Sequence, residues 1–243
     1  SGGMSGAARA ANDGEGGSGG GGDALAAAAV GAVEPGMMVG LGSGRAARRA
    51  IAALGERAGR EDLPITCVAT SLASAELGES LGLTVIDMET VDRIDYLFDG
   101  ADEVDPELRM IKGGGGAMTR EKIVARASRR RVYIVGEEKL VPRLGTGFRL
   151  PIEVMRFGLA WVRRRLASIG LEGEIRRTPD GAIYLTDNDN TVLDAVLGEG
   201  LDIDEVARRV DAITGVVGHG LFLSEADAVL VERADGVIDE LRR

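Results

Sequence analysis

Ile94-Asp95-Tyr96-Leu97-Phe98-Asp99-Gly100-Ala101-Asp102-Glu103 is the stretch on which the fold of this chain turns. Residues 94–98 form an apolar run long enough for a buried strand, so Asp99 and Asp102 emerge at that strand's carboxyl end. Open α/β sheets bind their ligands at that edge. Downstream lie Lys112-Gly113-Gly114-Gly115-Gly116 and then Glu121-Lys122, which packs carboxylates, an ammonium and a bare backbone into one short span. Four consecutive glycines have no side chains to pack and lose much entropy on ordering, so a folded chain that keeps them has a use for free N–H groups beside an anion. A helix beginning near Ala117 adds its positive end.

Outward from this stretch, helix and strand patterns alternate. Residues 24–30 have high helix propensity and stop at Glu34-Pro35-Gly36. Residues 37–41 read as a strand, Gly42-Ser43-Gly44 as a turn and residues 46–57 as a helix, which together make a β–α unit. A strand at 65–69, a helix at 74–81, short strands at 83–86 and 94–98, a helix at 117–130 and a strand at 132–135 continue the series. The predicted fold class is α/β, a Rossmann-like, mostly parallel sheet flanked by helices. After Lys139 come a helix at 159–169, strands near 174–177, 183–186 and 192–196, and a helix at 204–212, which predict a small α+β, ferredoxin-like lid. Apolar runs at 220–223 and 228–231 are expected to rejoin the main sheet. The expected division is a flexible Gly-rich tail over residues 1–22, an α/β catalytic domain over 23–147 plus 221–243, and the lid over 148–220.

Composition narrows the function. Lys and Arg total 29 against 39 Asp and Glu, a formal net charge of −10, which argues against nucleic acid and anionic membranes as partners. An anionic substrate therefore needs locally placed positive groups. The single cysteine, Cys67, removes an internal disulfide and a multi-cysteine zinc site, and reads as a buried strand residue. His219 is the only histidine, which removes histidine triads and multi-histidine metal sites; it reads as a loop residue near the lid. No apolar stretch reaches membrane-spanning length and the amino terminus shows no signal core, so a soluble cytoplasmic protein is expected.

Each candidate site has an ordinary alternative. Gly40-Leu41-Gly42-Ser43-Gly44-Arg45 begins like a dinucleotide fingerprint, but Arg45 stands where the third glycine should fall and no Gly-Lys-Ser/Thr follows. It reads as a tight strand-to-helix turn, one that can take a phosphate through the Ser43 hydroxyl and the Arg45 guanidinium. Asp99, Asp102, Glu103 and Asp105 offer hard oxygens but lack the spacing of a calcium loop, and a solvated acidic turn explains them equally well. Lys112 and Glu121, arriving at the same sheet edge, favour function. Lys112 beside two aspartates stays protonated and can hold a developing oxyanion, while Glu121 in the first turn of its helix is kept ionised by the dipole as a competent base. Arg129-Arg130-Arg131 and Arg163-Arg164-Arg165 read as solvated helix ends, and Trp161 as packing.

The segments 99–105, 111–116 and 119–124 resemble ribose-5-phosphate isomerase, type A, in order and spacing. Further likenesses are Gly40-Leu41-Gly42-Ser43-Gly44, Thr70-Ser71, Glu138-Lys139-Leu140, Pro151-Ile152-Glu153-Val154, Thr186-Asp187-Asn188 and Gly215-Val216-Val217, covering the chain from about Val33 onward. The resemblance implies interconversion of D-ribose 5-phosphate and D-ribulose 5-phosphate through an enediolate, with neither metal nor organic cofactor. It implies Glu121 as the proton-transferring base, with Asp99, Asp102 and Lys112 as its catalytic companions. Ser43, Gly44, Arg45, Gly100, Ala101, Gly113, Gly114, Gly115 and Lys139 would contact a small-molecule sugar phosphate, in a homodimer or homotetramer. Three departures stand out. Gly42-Ser43-Gly44-Arg45-Ala46 replaces a Gly-Ser/Thr-Gly-Ser-Thr pattern, the first helix lacks a basic residue, and Met155-Arg156-Phe157-Gly158 replaces an Ile-Pro-Met-Ala type of segment. Arg45 is expected to replace the lost phosphate contacts. An isomerase of another phosphorylated sugar and a non-catalytic sugar-phosphate sensor are the alternatives, and retention of both Glu121 and Lys112 speaks against the second.

Overall fold

The structure is a computed structural model and describes residues 22–243, so the tail expected over residues 1–22 lies, except for Gly22, outside the described residues. In chain order the elements are α1 (Ala24–Val30), β1 (Met38–Leu41), α2 (Arg45–Glu61), β2 (Thr66–Ala69), α3 (Leu72–Ser80), β3 (Ile94–Asp99), β4 (Glu103–Val104), β5 (Met110–Ile111), α4 (Met118–Ala127), β6 (Ser128–Gly136) and β7 (Leu150–Val154). They continue with α5 (Leu159–Ala167), β8 (Gly173–Ile175), β9 (Thr191–Ala195), α6 (Ile203–Asp211), β10 (Val216–His219), β11 (Leu221–Phe222), β12 (Ala228–Glu232) and β13 (Ile238–Arg242).

Six strands form the main sheet in the order β13-β12-β6-β3-β1-β2. Every pairing in it is parallel except that of β12 with β13. Apart from Asp95, whose carboxylate accepts the Met38 N–H, residues 94–98 of β3 are apolar because both its faces are covered. Tyr96 and Phe98 pack with Leu25, Ile51 and Leu54 of α1 and α2 on one face, and Leu97 packs with Met118 and Val124 of α4 on the other. Paired registers bring the carboxyl ends of β1 and β3 together, with Leu41 opposite Phe98. The turn after β1 and the acidic segment after β3 therefore share one edge, as expected of an α/β fold that binds ligands at strand ends.

A four-stranded antiparallel sheet, β10-β7-β9-β8, packs its apolar face against α5 and α6, where Val162, Leu166, Val206 and Val210 join Leu150, Ile152 and Leu193. A third small sheet runs β11-β5-β4.

Several sequence expectations need correction. Residues 220–223 do not rejoin the main sheet: β11 pairs with β5, whereas β12 returns to it and is followed at its edge by β13, which the sequence patterns do not mark. Residues 83–86 and 183–186 make no strands, only isolated bridges at Val85 and Ile183. Arg129, Arg130 and Arg131 are not helix ends but lie on β6, which begins directly after α4 because Ser128 turns the backbone to an extended conformation. Trp161 is 54% exposed, while Val162 and Leu166 do the packing on α5. His219 ends β10 and is buried, its Nε2 3.1 Å from Asp211 Oδ1. Cys67 is buried on β2, as expected.

Candidate active site

Asp99, the last residue of β3, is fully buried. Its Oδ1 accepts from the Ser43 N–H at 3.0 Å and the Gly100 N–H at 2.7 Å. Its Oδ2 has no hydrogen-bond partner among the described residues and lies 3.1 Å from Lys112 Nζ as an ion-pair contact. Gly42 is what allows this approach, because a Cβ there would collide with the Asp99 carboxylate. Lys112 follows β5, and its ammonium lies 2.7 Å from Glu121 Oε2 while donating to the Gly100 carbonyl. The ammonium also sits 5.4 Å from the centroid of the Tyr133 ring and 5.6 Å from that of Phe222, close enough for cation–π attraction. Glu121 is buried in the first turn of α4.

One ammonium thus stands between two carboxylates in a site largely closed to water. Burial disfavours the charged form of Lys112, but the charges of Asp99 and Glu121 outweigh it and hold its pKa above the ordinary lysine value. Burial first, and the Asp99 carboxylate second, push Glu121 well above the ordinary carboxylate value against the opposing pull of Lys112. This corrects the expectation that the helix dipole keeps Glu121 readily ionised: removal from water outweighs a partial charge that acts over one turn. The consequence is a more basic carboxylate, a stronger proton acceptor once ionised.

The acidic cluster divides in two. Asp102 stays partly exposed and its Oδ2 accepts the Gly114 N–H at 2.8 Å. Glu103 instead takes the N–H groups of Gly145 and Gly147, each at 2.7 Å, and Asp105 pairs with Arg109 at 2.7 Å. Both therefore serve turns rather than the site. Among the described residues, no group of three or more His, Cys, Asp or Glu side chains is arranged to hold a metal ion.

A cavity of about 840 Å3 opens over this edge. Of the residues expected in the site, Ser43, Gly44, Arg45, Gly100, Ala101, Asp102, Lys112, Gly113, Gly114, Gly115, Glu121 and Lys139 all line it. Asp99 does not line it. Gly44, at φ 94°, caps α2 without a side-chain hydrogen bond, so the first N–H groups of a 17-residue helix are left open beside the cavity. Arg45, the first residue of that helix, is exposed, and its guanidinium has no hydrogen-bond or ion-pair partner among the described residues. The Ser43 hydroxyl is 2.7 Å from both Thr70 Oγ1 and Ser71 Oγ, tying the β1–α2 turn to the β2–α3 turn.

Sequence reasoning assigned no site role to Ser74, Arg176 or Tyr184. Ser74 donates to the Gly42 carbonyl at 2.6 Å. Arg176 and Tyr184 reach the glycine loop from the vicinity of the four-stranded sheet. No motif announces them, since their partners are backbone carbonyls far away in sequence.

A buried carboxylate, an ammonium beside it and open amides at a helix start, carried at the edge of an α/β sheet, have the chemistry to move a proton and to hold an anion. A family model described as ribose 5-phosphate isomerase A (phosphoriboisomerase A) matches residues 66–236. A Thermomicrobium roseum protein named ribose-5-phosphate isomerase A is 45% identical over 206 residues, which are 84% of this chain and 86% of that protein. A Nitrobacter hamburgensis protein of the same name is 44% identical over 218 residues, 87% and 93% of the two chains. Among solved structures, ribose 5-phosphate isomerase A from Methanocaldococcus jannaschii aligns with a TM-score of 0.85 at 35% identity, covering 90% of this chain and 96% of that one. A D-ribose-5-phosphate isomerase in complex with phospho-erythronic acid aligns with a TM-score of 0.85 at 32% identity and the same coverage. The chain belongs to the ribose 5-phosphate isomerase A family.

Proposed function

We propose that this protein interconverts D-ribose 5-phosphate and D-ribulose 5-phosphate, with Glu121 as the base that moves the proton. The observation that carries the reading is the buried contact of Lys112 Nζ with Glu121 Oε2 at 2.7 Å, at the wall of a cavity fitted with open amides. In the open-chain aldose, Glu121 takes the proton from C2; the released electron pair forms the C1–C2 double bond and the charge moves to O1. Lys112 and the glycine-loop amides hold that oxygen. Glu121 returns the proton to C1, while the O2 hydroxyl gives up its proton and becomes the ketone carbonyl, and Asp102 assists the passage of that proton to O1. Asp99, which does not line the cavity, acts by holding Lys112 charged and in place. General-base transfer supplies roughly 10² to 10⁴ in rate, so preorganised charge must supply much of the rest.

The phosphate is assigned to the open start of α2, where helix amides and Arg45 meet it, with Lys139 closing the cavity wall. The division into residues 23–147 with 221–243, and a covering unit over 148–220, is retained as part of the proposal, as is a homodimer or homotetramer in the cytoplasm. Among the described residues, no helix is long and apolar enough to cross a membrane.

The deciding experiment is conversion of ribose 5-phosphate to ribulose 5-phosphate by the purified protein in a metal chelator. Turnover is expected. Its absence in folded protein, with turnover of another sugar phosphate, would reassign the substrate.

A further inference from the structure

The glycine loop is gripped from a second sheet. Arg176, which directly follows β8, donates from Nε and Nη2 to the carboxylate of Asp194 on β9, at 2.9 and 2.7 Å. The other edge of its guanidinium donates to the carbonyls of Gly113 and Gly114, each at 3.0 Å. The Tyr184 hydroxyl donates to the Gly115 carbonyl at 3.0 Å, and its ring centroid lies 5.5 Å from the Arg176 guanidinium carbon. Three successive carbonyls of a loop without side chains are therefore fixed by two neighbouring side chains.

This grip has a consequence for the opposite edge of each peptide. The described chain has no cis bonds, and in a trans peptide the N–H points away from the carbonyl. Fixing the Gly113 and Gly114 carbonyls therefore fixes the directions of the Gly114 and Gly115 N–H groups. The first meets Asp102 Oδ2 at 2.8 Å; the second has no partner among the described residues, and Gly115 lines the cavity. A guanidinium on the carbonyl side also polarises both peptides and makes their N–H groups stronger donors. A lysine ammonium could not engage a carboxylate bidentately and two carbonyls at once, since only the planar fork has donors on both edges.

We propose that Arg176, held by Asp194, is a positioning residue that aims the Gly115 amide at the oxygen that becomes negative during proton transfer, with Tyr184 completing the grip. The proposal rests on the isomerase reading above.

The test compares Arg176→Lys and Tyr184→Phe with the unmodified protein. It measures kcat and KM, together with affinity for two probes: phospho-erythronic acid, whose carboxylate mimics the charged enediolate end, and ribitol 5-phosphate, which lacks a carbonyl. Arg176→Lys is expected to lower kcat about 10- to 100-fold while KM stays within about threefold. It should lose affinity for phospho-erythronic acid by a similar factor and hold ribitol 5-phosphate normally. Tyr184→Phe, which removes one hydroxyl, should show the same pattern at smaller size. A folded Arg176→Lys enzyme with unchanged kcat, or one that loses both probes equally, overturns the proposal. If Arg176→Lys does not fold, an unchanged Tyr184→Phe enzyme overturns it instead. Inactivity of the unmodified protein is a different result and sinks the isomerase reading itself.

Discussion

The two ends of the cavity are built on opposite principles. At the chemical end, Asp99, Lys112 and Glu121 are buried, with both carboxylates within salt-bridge distance of the one ammonium. At the proposed phosphate end, Gly44 and Arg45 are exposed, and the polar groups on offer are helix amides and a guanidinium with no partner among the described residues. Proton abstraction from carbon needs charges fixed before reaction, which only a closed, crowded site provides. A phosphate keeps its charge throughout and is satisfied by any convergent set of donors at a helix start. If the proposal holds, substitution at the first end should be costly and substitution at the second, Arg45 included, mild.

The hardest break is Glu121→Gln, which keeps the shape and removes the base. We expect kcat to fall by about 10² to 10⁴, with sugar-phosphate binding retained in calorimetry. The variant should melt no lower than the parent at neutral pH. The folded-state pKa of Glu121 is raised, so between its unfolded and folded values the folded chain binds more protons than the unfolded one, and stability falls as pH rises through that window. Glutamine removes that penalty.

Lys112→Met should be costly to fold as well as to function. It leaves Asp99 and Glu121 facing each other without the cation that compensates both, and removing one partner of a buried ionic group typically costs about 3–5 kcal/mol. Chemical denaturation should show that loss at neutral pH and a smaller one at each lower pH, because protonating the unpaired carboxylates removes the repulsion. A loss that does not depend on pH would mean the triple is packing rather than electrostatics.

The pH profile sharpens the same contrast. The acidic limb of kcat/KM should lie above the ordinary carboxylate range, because burial and Asp99 raise Glu121 in the free enzyme. Asp99→Asn should move that limb downward by removing the like charge. A limb at an ordinary glutamate value in both enzymes would remove Glu121 as the titrating base.

The chemical end was also the legible end. Asp99, Lys112 and Glu121 lie within one stretch of chain, and an apolar strand followed by acid, lysine and glycines points to its own location. Arg176 and Tyr184 escaped notice because they act on backbone carbonyls 62 to 69 residues away, where the partner contributes no side chain to read. Strands β1, β3 and β12 of the main sheet are legible because they are largely buried and so largely apolar, whereas the edge strand β13, half exposed and carrying Asp239, Glu240 and Arg242, shows no such run. The start of β6 is not legible either: no glycine or proline separates it from α4, and Arg129 and Arg130 are consecutively exposed, which erases the alternation that marks a strand. The two-residue strands β4, β5 and β11 are too short to carry any period. The basicity of Glu121 is not legible in the sequence, because the helix that carries it is visible there whereas the burial around its carboxylate is tertiary.

Arg45→Ala should give the smallest effect. An exposed guanidinium contributes binding that is the same in the ground and transition states, so its loss should raise KM for ribose 5-phosphate about 3- to 10-fold and leave kcat within about twofold. The difference between variant and parent should shrink between low and high ionic strength, since an exposed charge acting on phosphate is screened over about 10 Å at 0.1 M salt. An unchanged KM at low salt would assign the phosphate to the helix amides alone and make Arg45 a bystander at that end. A fall in kcat would tell against the separation itself, because it would mean that a group with no internal partner at the open end helps to set the charges at the closed one.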